Sequence, residues 1–222
     1  MKILFVSATP FEITPLTDFL KQNWVQFGAQ QYQKGEHSVE YLITGVGIPA
    51  TIFQLTKKLS NNPFDLVINA GIAGAFNRAI ELGSVWEVVE DRFADIGVEQ
   101  ADESNSISNK SLSPNEPPFK EYILQNNETS AFNFLPKASA ITVNKVHGFP
   151  DSIEKIRVKY PADLESMEGA AVFYVTQLMG QSVLQIRSVS NYVEKRNRAN
   201  WEIGLAIEQL NKTIIELIQV LS

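Results

Sequence analysis

The sequence predicts an α/β fold, a three-layer sandwich of helices around a central mixed, largely parallel sheet. Continuous apolar runs bounded by turn residues are typical of strands buried on both faces. Such runs occur at Ile3 to Val6, Leu66 to Ala70, Val85 to Val89 and Val183 to Val189. Helical patterns of apolar residues lie between and after these runs, and the alternation indicates helices that cover both faces of the sheet.

Four helices are predicted along the chain from local patterns. The second has proline at its first position, where a helix needs no backbone N–H. The last carries apolar residues at 207, 210, 214, 217, 218 and 221, which lie on one face of a helix. The predicted ranges are Pro15 to Trp24, Pro49 to Leu59, Glu168 to Met179 and Asn200 to Leu221.

A polar stretch from Gln100 to Pro118 interrupts this alternation. It includes SNSISNKSLSPNEPP and offers little apolar surface to bury, so we predict a surface loop insertion at 100–118. Two roles stay open for it, a dispensable insertion and a lid over a binding site. No other break in composition divides the chain, and residues 1–222 are predicted to form a single domain.

The composition excludes several classes of function. The chain has no cysteine and two histidines, His37 and His147, which leaves neither a disulfide framework nor a thiolate or histidine-built zinc site. A mechanism without metal or cofactor is therefore expected. The formal charge of -6 argues against a nucleic-acid binder, because clustered Lys and Arg supply most of that affinity. The expected partner is a small molecule.

The amino terminus, MKILFVSATPFEI, has one lysine followed by a short apolar run. The run is too short to span a membrane, and no signal-type cleavage site follows before charged residues appear. We interpret it as the first buried strand, ending at Ser7, and expect a cytoplasmic protein that binds no membrane.

Candidate chemistry lies where the predicted strands end, because ligands of open α/β sheets bind beyond the carboxyl ends of the strands. Each motif found there is weak alone: Glu12 and Glu168 also suit helix starts, and Asn191 also suits a turn. The glycine motifs complete neither a P-loop nor a dinucleotide fingerprint. The five segments are SATPFE (7–12), GVG (45–47), GIAG (71–74), ESMEGAA (165–171) and RSVSNY (187–192).

Taken in order, these segments resemble the nucleoside phosphorylase and nucleosidase superfamily over nearly the whole chain. The strongest pieces are NAGIAGAF, SMEGAA and IRSVSN, while VVEDRFADIGVE and NYVEKRNR are more specifically similar to the futalosine hydrolases. The resemblance implies a nucleoside phosphorylase-like sheet of eight or nine strands, a homo-oligomer, commonly a dimer, and cleavage of a purine nucleoside. For futalosine hydrolases the substrate is futalosine, an intermediate of one menaquinone pathway.

The resemblance also implies roles by position. Glu168 matches the glutamate that grips the ribose hydroxyls, with Met167 packed against the sugar. Glu12 matches the acid that activates the attacking water, and Asn191 matches the residue that faces N7 of the purine.

Two departures from the methylthioadenosine nucleosidases carry information. Those enzymes have Asp where Asn191 stands, and an amide cannot donate that acid's proton to N7. An amide both donates and accepts hydrogen bonds, which suits a 6-oxopurine, and the 6-oxopurine phosphorylases also have Asn there. The second departure is Ile72 at a substrate-binding position, where those enzymes have Ser in GSAG, so that hydroxyl is missing.

Three functions stay open at this point. Glu12, with no arginine in its segment, favours water over phosphate as the nucleophile, because a carboxylate repels phosphate. This favours a futalosine-type hydrolase over an adenine nucleosidase or a phosphorylase, while a non-catalytic nucleoside-binding domain is a third possibility. Lys195, Arg196 and Arg198 are candidates for binding the carboxylate at the far end of futalosine, or form a charged turn.

Overall fold

The computed structural model describes residues 1–99, 107–108, 115–126 and 134–221. Most of the loop insertion predicted at 100–118 lies outside the described residues. Of that range, the structure describes 107–108, which form a short strand, and 115–118. The two roles left open for the insertion therefore stay predictions.

Twelve strands, five α-helices and one short 3₁₀ helix, Arg198–Asn200, form the regular structure of the described part of the chain. The strands are β1 Lys2–Ser7, β2 Val25–Gly28, β3 Gln31–Lys34, β4 His37–Ile43, β5 Leu66–Ala75, β6 Val85–Asp91, β7 Val98–Glu99, β8 Ile107–Ser108, β9 Leu124–Gln125, β10 Lys137–Thr142, β11 Leu164–Ser166 and β12 Val183–Tyr192. The helices are α1 Pro10–Asn23, α2 Ile48–Leu59, α3 Pro150–Lys159, α4 Gly169–Leu178 and α5 Ile203–Leu221.

Ten of the strands form one mixed sheet in the order β11-β10-β6-β12-β5-β1-β4-β3-β2, with β9 paired to β6. The pairs β1–β4, β1–β5, β5–β12, β6–β10 and β10–β11 are parallel. The pairs β6–β12 and β5–β11 are antiparallel. The predicted mixed sheet is confirmed, with ten strands rather than eight or nine.

The prediction of a plain sandwich is wrong for one half of the sheet, which closes on itself. Strand β11 pairs with β10 on one side and with β5 on the other, so β5, β12, β6, β10 and β11 form a closed ring. The cause lies in the length of β5. Its first residues pair with β1, up to Asn69, and its last ones, Gly74 and Ala75, extend past β1 and pair with β11.

Helices cover both faces of the open half of the sheet. Helices α1 and α5 pack on one face, where Ile13, Leu16, Leu210 and Ile214 join Phe5 in one core cluster. Helices α2 and α4 pack on the other face through a second cluster, formed by Leu55, Leu59, Val172, Phe173 and Val6. This half is the three-layer arrangement that the alternating pattern predicts. Within the residues the structure describes, no helix is long and apolar enough to cross a membrane.

The boundaries of the predicted elements differ from the observed ones mainly at α1. This helix begins at Pro10 rather than Pro15, because Thr9 precedes it and the Glu12 side chain accepts the Thr9 backbone N–H, as in a capping box. The apolar runs predicted as strands are confirmed in β1, β5, β6 and β12, and β5 and β12 continue well past the predicted ends. The sequence reading missed α3, although Pro150 stands at its first turn.

Candidate active site

The five predicted segments meet at one edge of the sheet. The ends of β1 and β4 are neighbours, since Ser7 pairs with Ile43, and the chain continues in register as Gly45 donates its N–H to the Ala8 carbonyl at 3.0 Å. The end of β5 joins β12 through the pairing of Gly74 with Asn191. The start of α4 completes the edge, because Glu168 accepts a hydrogen bond from the loop after β4. The structure thus brings the five segments together, and their role as one functional site stays a prediction.

Glu12 is a buried acceptor rather than an ordinary surface acid. Only 8% of it is exposed. Its Oε2 accepts hydrogen bonds from the Thr9 N–H at 2.9 Å, the Thr9 hydroxyl at 3.0 Å and the Ser7 hydroxyl at 3.2 Å. Its Oε1 accepts a longer bond of 3.3 Å from the backbone N–H of Ile72. Oε1 thus has one hydrogen-bond donor against three for Oε2, and it faces the last part of β5.

Glu168 stands at the N-cap of α4 and is held from across the sheet. Its Oε1 accepts the backbone N–H of Gly47 at 2.9 Å. Burial raises the pKa of the Glu168 carboxyl above its ordinary value, and the nearby Glu12 carboxylate raises it further, while the Gly47 N–H and Arg187 act in the opposite direction. Two carboxylates thus share one site, each with its own backbone partner.

Arg187 lies fully buried beneath these carboxylates. No role was predicted for it from the sequence. Its guanidinium donates to the side-chain oxygen of Asn69 and, at 3.1 Å, to the Ile186 carbonyl. Burial lowers the pKa of this guanidinium, and the charges of Glu168, Asp91 and Glu12 oppose that shift. The arginine supplies a fixed positive charge beneath the site. In the sequence, the one sign of such a role was a charged residue within an apolar strand.

The close approach of these groups leaves little room for a side chain at position 71. A Cβ atom built there would lie 3.1 Å from Oε1 of Glu12 and 3.3 Å from Nη1 of Arg187. Any side chain would therefore press on both groups. The first glycine of the GIAG motif therefore lets the Glu12 carboxylate pack against the backbone of β5.

Asp91, at the end of β6, is a third buried acid next to the start of α4. It accepts hydrogen bonds from Gln185 at 2.9 Å, from Thr142 at 2.9 Å and from the Arg92 N–H at 2.8 Å. Burial raises the pKa of Asp91 to about 6, and these donors and Arg187 moderate the shift. A Cβ on Gly169 would lie 2.2 Å from Oδ2 of Asp91, which explains why α4 begins with a glycine.

A register shift in β12 sets the orientation of the Asn191 side chain. The register between β12 and β5 shifts between Val189 and Asn191, and such bulges re-aim side chains near functional sites. The Asn191 side chain accepts the Ser190 hydroxyl at 2.9 Å and donates to the Tyr192 carbonyl at 2.9 Å. Its amide has a second N–H, which these contacts leave available to a ligand.

Ile72 and Met167 are both half-buried at the same edge. Ile72 contributes its backbone N–H to Glu12, a contact that any residue except proline can make. The missing serine hydroxyl therefore leaves this backbone contact in place. Met167 lies in the turn between β11 and α4, directly before Glu168.

A cavity beside Asn191 contains a pair that the sequence reading did not assign. It is lined by Asn191, Glu165, His147, Glu194 and Arg196, among others. The Glu165 carboxylate accepts the His147 backbone N–H at 3.0 Å and contacts Nδ1 of the His147 ring. The sequence analysis considered Glu165 only as part of the ESMEGAA segment and His147 only as a possible metal ligand. The two residues are 18 positions apart, and this spacing does not indicate that they form a pair.

The three candidate cations differ in their surroundings. All are exposed, but Arg196 also lines the cavity beside Asn191, and its backbone N–H bonds to the Gly148 carbonyl at 3.3 Å. The guanidinium groups of Arg196 and Arg198 lie over the ring of Trp201, at 5.3 and 5.9 Å from its centroid. The structure therefore singles out Arg196 from Lys195 and Arg198.

Together these groups can act on a polar ring bound at the strand ends. An acid such as Glu12, with one lightly engaged oxygen, can accept a proton from water. Glu168 can accept hydrogen bonds from two hydroxyl groups, since an ionised carboxylate offers several acceptor positions. Negative charge at the site stabilises a positive charge that develops on a ligand.

Comparisons with known proteins agree with this geometry. The sequence profile described as Phosphorylase superfamily matches residues 2–221. A futalosine hydrolase of Streptomyces coelicolor is 33% identical over 168 residues, which are 73% of this chain and 69% of that protein. A 5'-methylthioadenosine/S-adenosylhomocysteine nucleosidase of Bacillus pumilus is 26% identical over 98% of this chain and 97% of its own length.

A solved structure has the same fold. The native structure of futalosine hydrolase from Helicobacter pylori superposes with a TM-score of 0.80, covering 99% of this chain and 97% of that one. The sequence identity in this superposition is 14%, so the likeness establishes the fold and leaves the substrate to be argued from the residues.

Proposed function

The chain belongs to the phosphorylase superfamily, and we propose that it hydrolyses the N-glycosidic bond of a purine nucleoside, with futalosine as the substrate and hypoxanthine as the released base. The similarity to the Streptomyces coelicolor futalosine hydrolase supports the substrate. Residues 12, 72, 167, 168 and 191 form the proposed site.

The observation that carries the proposal is the charge around Glu12. Glu12, Glu168 and Asp91 all interact electrostatically with the single buried guanidinium of Arg187. Three acidic side chains face one guanidinium, and this excess of acids is unfavourable for a phosphate ion. A neutral water molecule meets no such repulsion. The charge therefore favours hydrolysis over phosphorolysis.

In the proposed reaction, Glu12 acts as the general base. The bond between C1′ of the ribose and N9 of the purine breaks, and its electrons leave with the base. The water oxygen bonds to C1′ and one water proton passes to Glu12. The leaving purine takes up a proton from solvent, and Glu12 then returns its proton to solvent. Positive charge that develops on the ribose ring is stabilised by the adjacent carboxylates.

Glu168 and Met167 are proposed to hold the ribose. The Gly47 N–H donates to Oε1 of Glu168, and the Met167 backbone also hydrogen-bonds to this carboxylate. An ionised carboxylate has further acceptor positions, which are proposed to bind the ribose hydroxyls. A sugar fixed in this way keeps C1′ in line with the water at Glu12, and positioning of this kind accounts for a large share of catalysis. Met167 would cover the apolar side of the sugar.

Asn191 is proposed to face the purine ring. Its free N–H can donate to N7, where negative charge appears as the bond to N9 breaks. It cannot deliver a proton as a carboxylic acid does, and this favours hypoxanthine, a better leaving group than adenine without such an acid. A nucleosidase acting on methylthioadenosine is the second candidate, supported by the Bacillus pumilus relative.

Arg196 is the proposed contact for the carboxylate of futalosine, because it is exposed and can meet a group that projects out of the cavity beside Asn191. Replacing Arg196 with alanine is expected to raise the KM for futalosine and to leave the KM for inosine nearly unchanged. Arg198→Ala is the matched control, because Arg198 also lies over Trp201. Equal effects of the two variants would remove Arg196 from substrate binding.

We also propose that the chain acts as a homo-oligomer. Large apolar side chains stand exposed on elements around the site: Phe11 at 65%, Val46 at 56% and Phe53 at 63%. Contact with a second copy would cover such side chains. Sedimentation equilibrium tests this, with a mass of at least twice 24.8 kDa expected and a monomer contradicting it.

The substrate is tested by incubating the protein with futalosine, inosine and methylthioadenosine, with and without phosphate, and identifying the products by chromatography. We expect hypoxanthine and the free sugar from futalosine, at the same rate in both buffers. A sugar 1-phosphate would identify a phosphorylase. Fast release of adenine from methylthioadenosine, with futalosine untouched, would favour the second candidate.

A further inference from the structure

We propose that Glu165, held in place by His147, selects 6-oxopurines by accepting a hydrogen bond from N1–H of the base. The inference rests on the proposed function, because it takes the cavity beside Asn191 as the place of the base. It goes beyond that proposal by assigning the choice of base to a residue outside the five already described.

The sheet places Glu165 and Asn191 on either side of the same residue. Glu165 in β11 pairs with Gly74 of β5, and Asn191 in β12 pairs with Gly74 from the other side. Both side chains line one cavity. Gly74 has no side chain, and this lets Asn191 pack closely against β5: a Cβ at position 74 would lie 2.9 Å from Cγ2 of Val193 and 3.2 Å from Nδ2 of Asn191.

His147 fixes the carboxylate of Glu165 with two contacts. Its backbone N–H donates to Oε1 at 3.0 Å, and Nδ1 of its ring contacts Oε2. The Glu165 side chain is 3% exposed. Each oxygen has one partner from His147 and can accept another hydrogen bond, so the pair holds the carboxylate rigidly and leaves acceptor positions for a ligand.

The other charged groups at the cavity are differently engaged. Glu194 forms an ion pair with Arg78 and accepts the Asn200 side chain at 3.0 Å. Arg196 is exposed and lies over Trp201. Of the acids that line this cavity in the described part of the chain, Glu165 is the buried one.

The chemistry of N1 separates the two kinds of purine. A 6-oxopurine carries hydrogen on N1, whereas a 6-aminopurine has a lone pair there. An ionised carboxylate only accepts hydrogen bonds, so it binds the first and repels the second. The amide of Asn191 both donates and accepts, so Asn191 cannot enforce this choice by itself. Sites built on such hydrogen bonds discriminate strongly between substrates.

The test compares futalosine with its 6-amino analogue, which differs only in the base. For Glu165→Gln, we expect the ratio of kcat/KM values, 6-oxo over 6-amino, to fall at least about 100-fold, because the glutamine amide can donate to N1 of the 6-aminopurine. Glu154→Gln, at an exposed position on α3 outside the cavity, is the control and should leave the ratio within about twofold of wild type. An unchanged ratio in a folded Glu165→Gln variant overturns the inference.

The positioning role of His147 has its own readout. Asparagine at 147 keeps the backbone N–H and places a side-chain N–H near the position of Nδ1, whereas alanine removes the side-chain donor. His147→Asn should therefore keep the preference for the 6-oxo base, and His147→Ala should lose about tenfold of it. Equal preference in the two variants would contradict the role of His147.

The wild-type protein separates this inference from the function on which it depends. If wild type releases hypoxanthine from futalosine and Glu165→Gln keeps its preference, the inference fails and the proposed function stands. If wild type cleaves the 6-amino analogue and leaves futalosine intact, the proposed substrate and the inference both fail.

Discussion

The side-chain amide of Asn211 donates to the backbone carbonyl of Glu12 at 2.8 Å, across 199 positions of the chain. Its oxygen accepts the Leu16 N–H at 3.0 Å, the group that would bond to the Glu12 carbonyl in a regular helix. Helix α1 is kinked there, with non-helical angles at Ile13 and a proline at position 15. Asn211 thus replaces a broken helical hydrogen bond beneath the proposed general base.

Asn211→Leu is expected to destabilise the protein and slow the reaction together. Leucine has nearly the same shape but leaves the Glu12 carbonyl and the Leu16 N–H without partners, which costs about 1–3 kcal/mol for each buried group. Denaturant unfolding measures the first effect and kcat the second. Asn23→Ala removes an exposed amide at the end of the same helix and is the matched control. A variant with wild-type kcat would show that Asn211 does not position Glu12.

The buried acid Asp91 should make stability depend on pH. Burial raises the pKa of Asp91 from 3.8 to about 6. The folded protein therefore keeps a proton that the unfolded chain loses, so the free energy of unfolding falls as pH rises from about 4 to about 6, by about 3 kcal/mol. Asp91→Asn should lack this fall. Parallel stability curves for the variant and the wild type would contradict the assignment.

Glu168→Ala is expected to lower kcat/KM by about 100-fold or more, because the ribose is no longer held in line with the water. A 2′-deoxy substrate provides the control for this mechanism. Wild type should lose efficiency on it, while the variant, which has already lost the contact, should lose little more. Additive losses from the mutation and the missing hydroxyl would show that Glu168 does not bind that hydroxyl.

Asn191→Asp is expected to shift the base preference from hypoxanthine toward adenine. A protonated aspartic acid can deliver a proton to N7, which assists adenine as a leaving group, and it loses the amide donor that suits a 6-oxopurine. The ratio of kcat/KM for inosine and methylthioadenosine measures the shift. A variant that merely slows on both substrates would show that Asn191 supports the fold of β12.

The residues at the strand ends were predictable because each lies where a buried strand stops. Glu12 and Asn191 stand shortly after apolar runs, and the order of the motifs along the chain matches a known superfamily. Arg187 was not assigned because its burial depends on partners from other elements, such as Asn69. Asn211 was missed for the same reason: the proline at position 15 indicates a broken hydrogen bond, but not the helix that repairs it.

The closure of the sheet could not be predicted from the residues of β11. Three residues, Leu164–Ser166, are too few to show a pattern of period two, and their pairing with both β10 and β5 depends on the length of β5. The single domain over residues 1–222, the loop at 100–118 and the roles of the site residues stay predictions.

The central claim is that Glu12 activates water for the release of hypoxanthine. The most direct test measures hypoxanthine release from futalosine in phosphate-free buffer by wild type and by Glu12→Gln, together with substrate binding by calorimetry. Glutamine keeps the size of the side chain but cannot take a proton from water. We expect turnover to fall by about 100- to 10,000-fold, with binding retained and with Glu36→Gln, at an exposed position, behaving as wild type. Near-normal turnover by Glu12→Gln would contradict the account.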